Sequence, residues 1–407
     1  MNAGLMREVA SWAFWRMAAA AALVAITAAA ASAQYCTPDQ CDECDLCNAR
    51  LSCCHEPPEL WLVNTRCLPR CSNLDQAFER ISIKRWDPSC RRFVNETVDS
   101  LIAQEANMPT LFFAHGNTLK HKGAMKQCWK LYNKMRCCPG KKRLVFWSWP
   151  AQIAFKRPLL RPRKLIMKNL RIKFVYSEYQ GYYMAKILER MSFTQRVTAG
   201  GHSYGAIIGA SAAHYLGGGS LRGLTLAGGM PVQRNFRVMN ISGAFDNDAM
   251  DPGKRYGQSF VAAEKVLNTR NKNDSTLDNW PKVSLRGRRA IGVTGINANN
   301  LGEYSSKLCQ ITMSRDVGKS HYIDEHLASR RLVNLMCCIA FPECAACAMA
   351  QQQGDAPPAV VEPIDEPVPA MPASFSAGHN SGREQSIDEA YAGDDDGPVL
   401  RLLRGGR

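Results

Sequence analysis

The chain is 407 residues long, with 51 Lys/Arg against 36 Asp/Glu, a formal charge of +15, and 17 cysteines. That length can bury a substantial core, and an apolar share of 46% is that of a globular protein. A basic surface could meet nucleic acid, an anionic membrane or acidic substrates, but no zinc-finger, homeodomain or RNA-recognition signature is present, which sets nucleic acid aside.

Taken in order, the chain opens with Arg7 and Arg16 ahead of an alanine-rich apolar run, Met17 to Ala31, and Ala31-Ser32-Ala33 stands before Gln34. Residues 1–33 therefore read as a cleaved signal peptide, since the run is short for a membrane span. Export implies an oxidising compartment in which cysteines pair, with one left over from an odd count. Residues 34–58 hold a dense cluster: Cys36, Cys41, Cys44, Cys47, Cys53 and Cys54. Their spacing would suit zinc or an iron–sulfur cluster in a reducing compartment. In an exported chain it reads as a small disulfide knot. A metal- or redox-active protein is the alternative that Cys41-Asp42-Glu43-Cys44 and Cys344-Ala345-Ala346-Cys347 keep open.

Leu60 to Arg66 and Arg80 to Trp86 read as strands, and Phe93 to Gln104 as a helix. Thr110 to Ala114 is a buried strand running into His115-Gly116-Asn117. Lys122 to Met135 is helical, and Leu144 to Trp149 is a strand stopped by Pro150. From Ala151 to Lys173 eight residues are Lys or Arg; this reads as an insertion or lid over the sheet, suited to contact with an anionic surface. Val175 to Leu188 is an amphipathic helix. Phe236–Ile241, Lys265–Thr269 and Gln310–Met313 are further strands, and Leu327–Ala340 a last helix with Cys337 and Cys338. Alternating strands and helices predict an α/β domain over 59–350, a mainly parallel sheet covered on both faces. Residues 351–407, with ten Asp/Glu and four Lys/Arg among many Pro and Ala, read as a disordered tail.

Between these elements lies Gly201-His202-Ser203-Tyr204-Gly205, a G-x-S-x-G match. A short β-prone run precedes it, and a small-residue helix pattern follows, Ala206 to Leu216. Strand, tight turn and helix are what a nucleophile elbow needs: glycines let strand and helix pass closely, and the serine stands above the sheet. An elbow serine needs an acid and a histidine later in the chain, in that order. Of the downstream histidines, His321 follows the last strand; His379 falls in the tail, and His326 reads as a surface residue at the start of the last helix. Two acids qualify. Counting the elbow strand as fifth, Asp274 ends the seventh strand and Asp246 the sixth; the seventh is the usual place, which favours Asp274 over Asp246. The oxyanion hole would take the N–H groups of Tyr204, after the serine, and Asn117, in the loop after Thr110–Ala114. His115 reads as a structural hydrogen-bonding residue. This chemistry needs no cofactor and no metal. Gly318-Lys319-Ser320 looks like the end of a phosphate-binding loop, but Met313 stands where that motif needs glycine.

His115-Gly116-Asn117, Trp147-Ser148-Trp149-Pro150, Gly181-Tyr182-Tyr183-Met184-Ala185, Gly201–Gly205 and Asn273-Asp274 together resemble a group of uncharacterised, exported, planctomycete-like bacterial α/β-hydrolases, over about residues 61–340. The resemblance implies a Ser-Asp-His hydrolase with the acid at Asp274. The Cys36–Cys54 cluster and the basic 151–173 stretch depart from that group. The expected function is an exported serine hydrolase acting on small acyl esters or lipids; the alternative is a non-catalytic envelope protein that binds through the same scaffold.

Overall fold

The structure, a computed structural model, describes residues 57–68, 74–104, 108–136, 138, 140–153, 162–192, 194–226 and 235–341. Residues 1–33, the cysteine cluster, residues 154–161 of the basic stretch, Cys344–Cys347 and the acidic tail lie outside the described residues.

Among the described residues nine strands form one sheet: β1 (Glu59–Asn64), β2 (Ser82–Asp87), β3 (Arg92–Glu96), β4 (Thr110–Ala114), β5 (Arg143–Ser148), β6 (Val197–His202), β7 (Phe236–Ile241), β8 (Lys265–Arg270) and β9 (Leu308–Thr312). Their order is β3-β2-β1-β5-β4-β6-β7-β8-β9. Only β2 runs against its neighbours; every other pairing is parallel. The helices are α1 (Leu74–Phe78), α2 (Val98–Ile102), α3 (His121–Met135), α4 (Pro162–Arg190), α5 (Tyr204–Leu216), α6 (Ser259–Ala262), α7 (Ile291–Thr294), α8 (Ser314–Val317), α9 (Ile323–His326) and α10 (Arg330–Ala340).

The central strands are apolar without alternation because both of their faces are covered. In β4, Leu111 and Phe113 join a core shared with α3 and α10, while Phe112 and Ala114 join one shared with α4 and α5. Each such large side chain removed from water contributes about 1.5–3 kcal/mol. On α3 the buried residues Ala124, Cys128, Leu131 and Met135 recur at helical spacing. Every residue of α5 is buried, which is why its sequence is small and apolar all round. A disulfide joins Cys138, just past α3, to Cys337 on α10 across 199 residues. This is the α/β-hydrolase architecture: a mostly parallel sheet with helices on both faces and a sharp strand-to-helix turn at its centre.

Three expectations need correction. Phe93 to Gln104 is not one helix but strand β3 followed by the short α2. The Asp87 carboxylate accepts the N–H groups of Ser89 and Cys90, and Arg91 has φ +50°. That turn folds β3 back onto β2, where Trp86 meets Phe93 edge-on at 5.3 Å and Trp129 at 4.7 Å. The helix starts only after Thr97, whose side chain and that of Ser100 cap it reciprocally. The added strand makes the elbow strand the sixth in the chain, so Asp246 follows the seventh strand and Asp274 the eighth. Second, the helix expected to begin at Val175 begins at Pro162, inside the basic stretch: α4 runs for 29 residues. Lys173 is buried in it, donating to the Pro150 carbonyl and lying 4.8 Å over the Tyr176 ring. Third, His326 is not a surface residue but fully buried.

Candidate active site

The elbow is built where β6 turns into α5. Ser203 has φ +56° and ψ −118°, a strained conformation for a residue with a Cβ, at a cost of about 1–3 kcal/mol. Surrounding hydrogen bonds hold it there: its N–H donates to the Ile241 carbonyl, and its own carbonyl accepts from Ala206 and Ala244. The flanking glycines are required by contact. A Cβ on Gly201 would lie 2.5 Å from the Ala114 carbonyl oxygen, and one on Gly205 2.1 Å from the same atom. The end of β4 is thus pressed against the turn.

Ser203 Oγ lies 2.9 Å from His321 Nε2, and His321 Nδ1 lies 2.7 Å from Asp274 Oδ2. With Nδ1–H donated to the carboxylate, the Nε2 lone pair faces the serine hydroxyl. Asp274 is fully buried. Its second oxygen, Oδ1, accepts the N–H groups of Thr276 and Leu277 at 3.0 and 2.9 Å, so the turn after β8 fixes the carboxylate while one oxygen serves the imidazole. Asp246 is engaged elsewhere: its Oδ1 accepts from Trp280 Nε1 at 2.9 Å.

The loop carrying His321 is laced to its surroundings. Asn271 Nδ2 donates to the Gly318 carbonyl, and Ser275 donates to the Lys319 carbonyl. Two buried imidazoles then hold consecutive carbonyls. His202 Nε2–H donates to His321 O at 2.8 Å, and His326 Nδ1–H donates to Tyr322 O at 3.0 Å. The His326 Nε2 accepts from Ser242 Oγ at 2.8 Å. Burial pushes the pKa of both rings down, and for both the charge of His321 adds to the effect. Each is thereby held neutral; the His202 and His321 rings are 4.9 Å apart. Sequence reasoning missed both roles. The position of His202 inside the elbow was the available signal; nothing in the local pattern marks His326.

On the other side, the His115–Asn117 loop reaches the serine. A Cβ on Gly116 would lie 3.5 Å from Ser203 Cβ and 2.9 Å from His202 Nδ1, so only glycine fits. His115 fastens this loop. Its Nδ1–H donates to Gly116 O, its Nε2 accepts from the Trp149 N–H and from Arg66, and its carbonyl accepts from Trp149 Nε1. Burial, with the Arg66 charge second, pulls its pKa from 6.5 to about 3, which agrees with a structural role. The N–H groups of Tyr204 and Asn117 meet no backbone acceptor among the described residues; for Tyr204 this is the orphan donor of a helix start. Both polar atoms of the Asn117 side chain are also buried without a partner. Across the site, the Tyr204 hydroxyl donates to the Leu170 carbonyl of α4 at 3.2 Å, so α4 covers the residue next to the serine.

No protein-family model and no curated protein matches the chain. Among solved structures it is similar to acyl-protein thioesterase 2 from Zea mays, at 13% identity over 57% of this chain and 93% of that one, with a TM-score of 0.31. It is also similar to esterase B from Lactobacillus rhamnosis bound to a C6-C4 SN3 inhibitor, at 14% identity over 86% of this chain and 99% of that one, with a TM-score of 0.34. TM-scores this low bear on neither substrate nor mechanism.

Proposed function

We propose that the chain is an exported serine hydrolase that cleaves carboxylic esters through an acyl-enzyme. The observation that carries this is the unbroken hydrogen-bond chain from Ser203 through His321 to Asp274, set on a strained elbow. Ser203 Oγ attacks the ester carbonyl while His321 Nε2 takes its proton. Asp274 holds the imidazole tautomer and stabilises the imidazolium. The oxyanion accepts from the Tyr204 and Asn117 N–H groups, at the positive end of the α5 dipole. The leaving alkoxide takes the proton from His321. Water then repeats the sequence on the acyl-serine and frees the acid. The unpartnered Asn117 amide is available to a polar group of the bound ester. Export rests on the leader and on cysteine usage.

A fluorophosphonate probe tests the reading. Covalent attachment at Ser203 is expected, lost in Ser203→Ala and sharply slowed in His321→Ala. Folded wild-type protein that takes no label would leave only a binding role. Recovery of a chain beginning at Gln34 outside the cytoplasm checks export.

A further inference from the structure

The charge of this protein is concentrated in one stretch. Residues 106–177 contain 17 Lys/Arg and no Asp or Glu. The stretch comprises β4, the loop after it whose Gly116 approaches Ser203, α3, β5 and the start of α4, whose Leu170 carbonyl accepts from Tyr204. Among the described residues, Lys130 pairs with Asp324 and Arg143 with Glu59. Lys120, Lys122 and Lys126 at the start of α3, and Arg171 on α4, are exposed and join no ion pair among the described residues. Acids on the opposite side are partly engaged: Asp316 accepts from Ser329, and Asp278 lies near Arg289.

Exposed apolar side chains lie on segments that also carry residues of the site. Five large ones are exposed among the described residues: Ile153, Ile166, Val261, Leu285 and Tyr322. Four of them attach to the site by short paths. Ile153 follows Ala151, whose carbonyl accepts from Thr118 of the oxyanion loop. Ile166 lies one helical turn before Leu170, the partner of the Tyr204 hydroxyl. Leu285, 88% exposed, comes five residues after Trp280, whose ring faces those of Tyr204 at 6.1 Å and Phe174 at 6.3 Å. Tyr322 follows His321. Only Val261 lies elsewhere, on α6. Single exposed apolar residues are ordinary; several on the segments that carry the site, together with unopposed cations, mark a surface that meets something.

We infer that the mouth of the site docks on an anionic lipid surface, and that the ester it takes is an acyl lipid presented there. The docking stands on charge and exposure alone; the substrate class rests on the hydrolase function proposed above. Cations by themselves would suit nucleic acid equally well. Exposed Ile153, Ile166 and Leu285 decide between the two, because aliphatic side chains cannot stack on bases but gain by entering an acyl phase. Lys120, Lys122, Lys126 and Arg171 supply the long-range attraction to lipid headgroups.

The test uses the full chain with Ser203→Ala, floated with vesicles of phosphatidylcholine alone or of phosphatidylcholine mixed with phosphatidylglycerol. Stronger binding to the anionic vesicles, released by salt, is expected. Lys122→Gln and Lys126→Gln should each weaken that binding about fivefold, and Leu285→Ser should weaken it further. All three positions are on the surface, and unchanged thermal unfolding would show that the variants fold. An attached leader, with Arg7 and Arg16, favours anionic vesicles equally in every variant, so the loss caused by each substitution is the quantity read. Equal binding to the two vesicles, anionic binding untouched by the variants, or tighter binding to single-stranded RNA than to anionic vesicles would each overturn the docking. If the wild-type chain reacts with fluorophosphonate but shows no such difference, docking falls and hydrolysis stands. If it binds anionic vesicles selectively but takes no fluorophosphonate, docking stands and hydrolysis falls.

Discussion

The loops after β8 and β9 and the loops after β4 and β5 stand on opposite sides of Ser203, and they are built differently. On the first side nearly every polar group has a partner. Asp274 is held by two backbone N–H groups, and the carbonyls at 318, 319, 321 and 322 each accept from a side chain. On the second side, groups are left open: the Asn117 amide, the N–H groups of Asn117 and Tyr204, and the exposed lysines of α3. Proton transfer requires fixed geometry, and recognition requires groups whose partners arrive with the ligand. Under the proposed function, the two flanks divide these tasks.

The sharpest break in that contrast comes from the acid and the base. His321→Ala and Asp274→Asn should each lower kcat/KM by about 10⁴-fold. Asp246→Asn removes only a charge, its amide oxygen still accepting from Trp280, and should stay within about tenfold, since no proton is routed through it. Ester hydrolysis with purified variants checks all three, and a reversed order would move the acid to Asp246. Next, His202→Phe removes the donor to the His321 carbonyl; kcat should fall up to about 10²-fold with KM little changed. Part of the loss should return in His202→Gln, and the pH profile of probe labelling should shift because the ring beside His321 is gone.

A smaller effect concerns stability in acid. His115, His202, His214 and His326 are all held neutral, mainly by burial, with pKa values below 6.5. The unfolded chain therefore binds more protons than the folded one below pH 6.5. Stability is fully present above that pH and is lost as pH falls toward the folded-state values, at about 1.4 kcal/mol per pH unit for His115. Urea unfolding at pH 7 and pH 5.5 should show a lower midpoint at the acid value. An unchanged midpoint would mean that these rings take up protons equally in the folded and the unfolded chain. The smallest expected effect is that of Lys122→Gln on a soluble short-chain ester in salt: it should lie within about twofold of wild type, because an exposed charge acts only at long range.

Much of the candidate site's geometry was legible because the chemistry proposed for it demands rare local features. G-x-S-x-G between a β-prone run and a small-residue helix has few other uses, and a histidine after the last strand and an aspartate after an earlier one follow from chain order. Other features were illegible for equally physical reasons. The β2–β3 hairpin was hidden because its reversal depends on the Asp87 carboxylate capping Ser89 and Cys90, not on a glycine. The unbroken α4 was hidden because clustered cations look like a solvated loop, although Lys173 is buried against Pro150 and Tyr176.

Residue order alone determined the class of the sheet, the elbow and the short set of acid and base candidates, since these depend on periodicity and on local steric demands. Only tertiary structure decided which aspartate faces His321, and that His202 and His326 hold its loop. Those are contacts between residues up to 119 positions apart, set by which strands lie side by side in the sheet, and no local pattern records that.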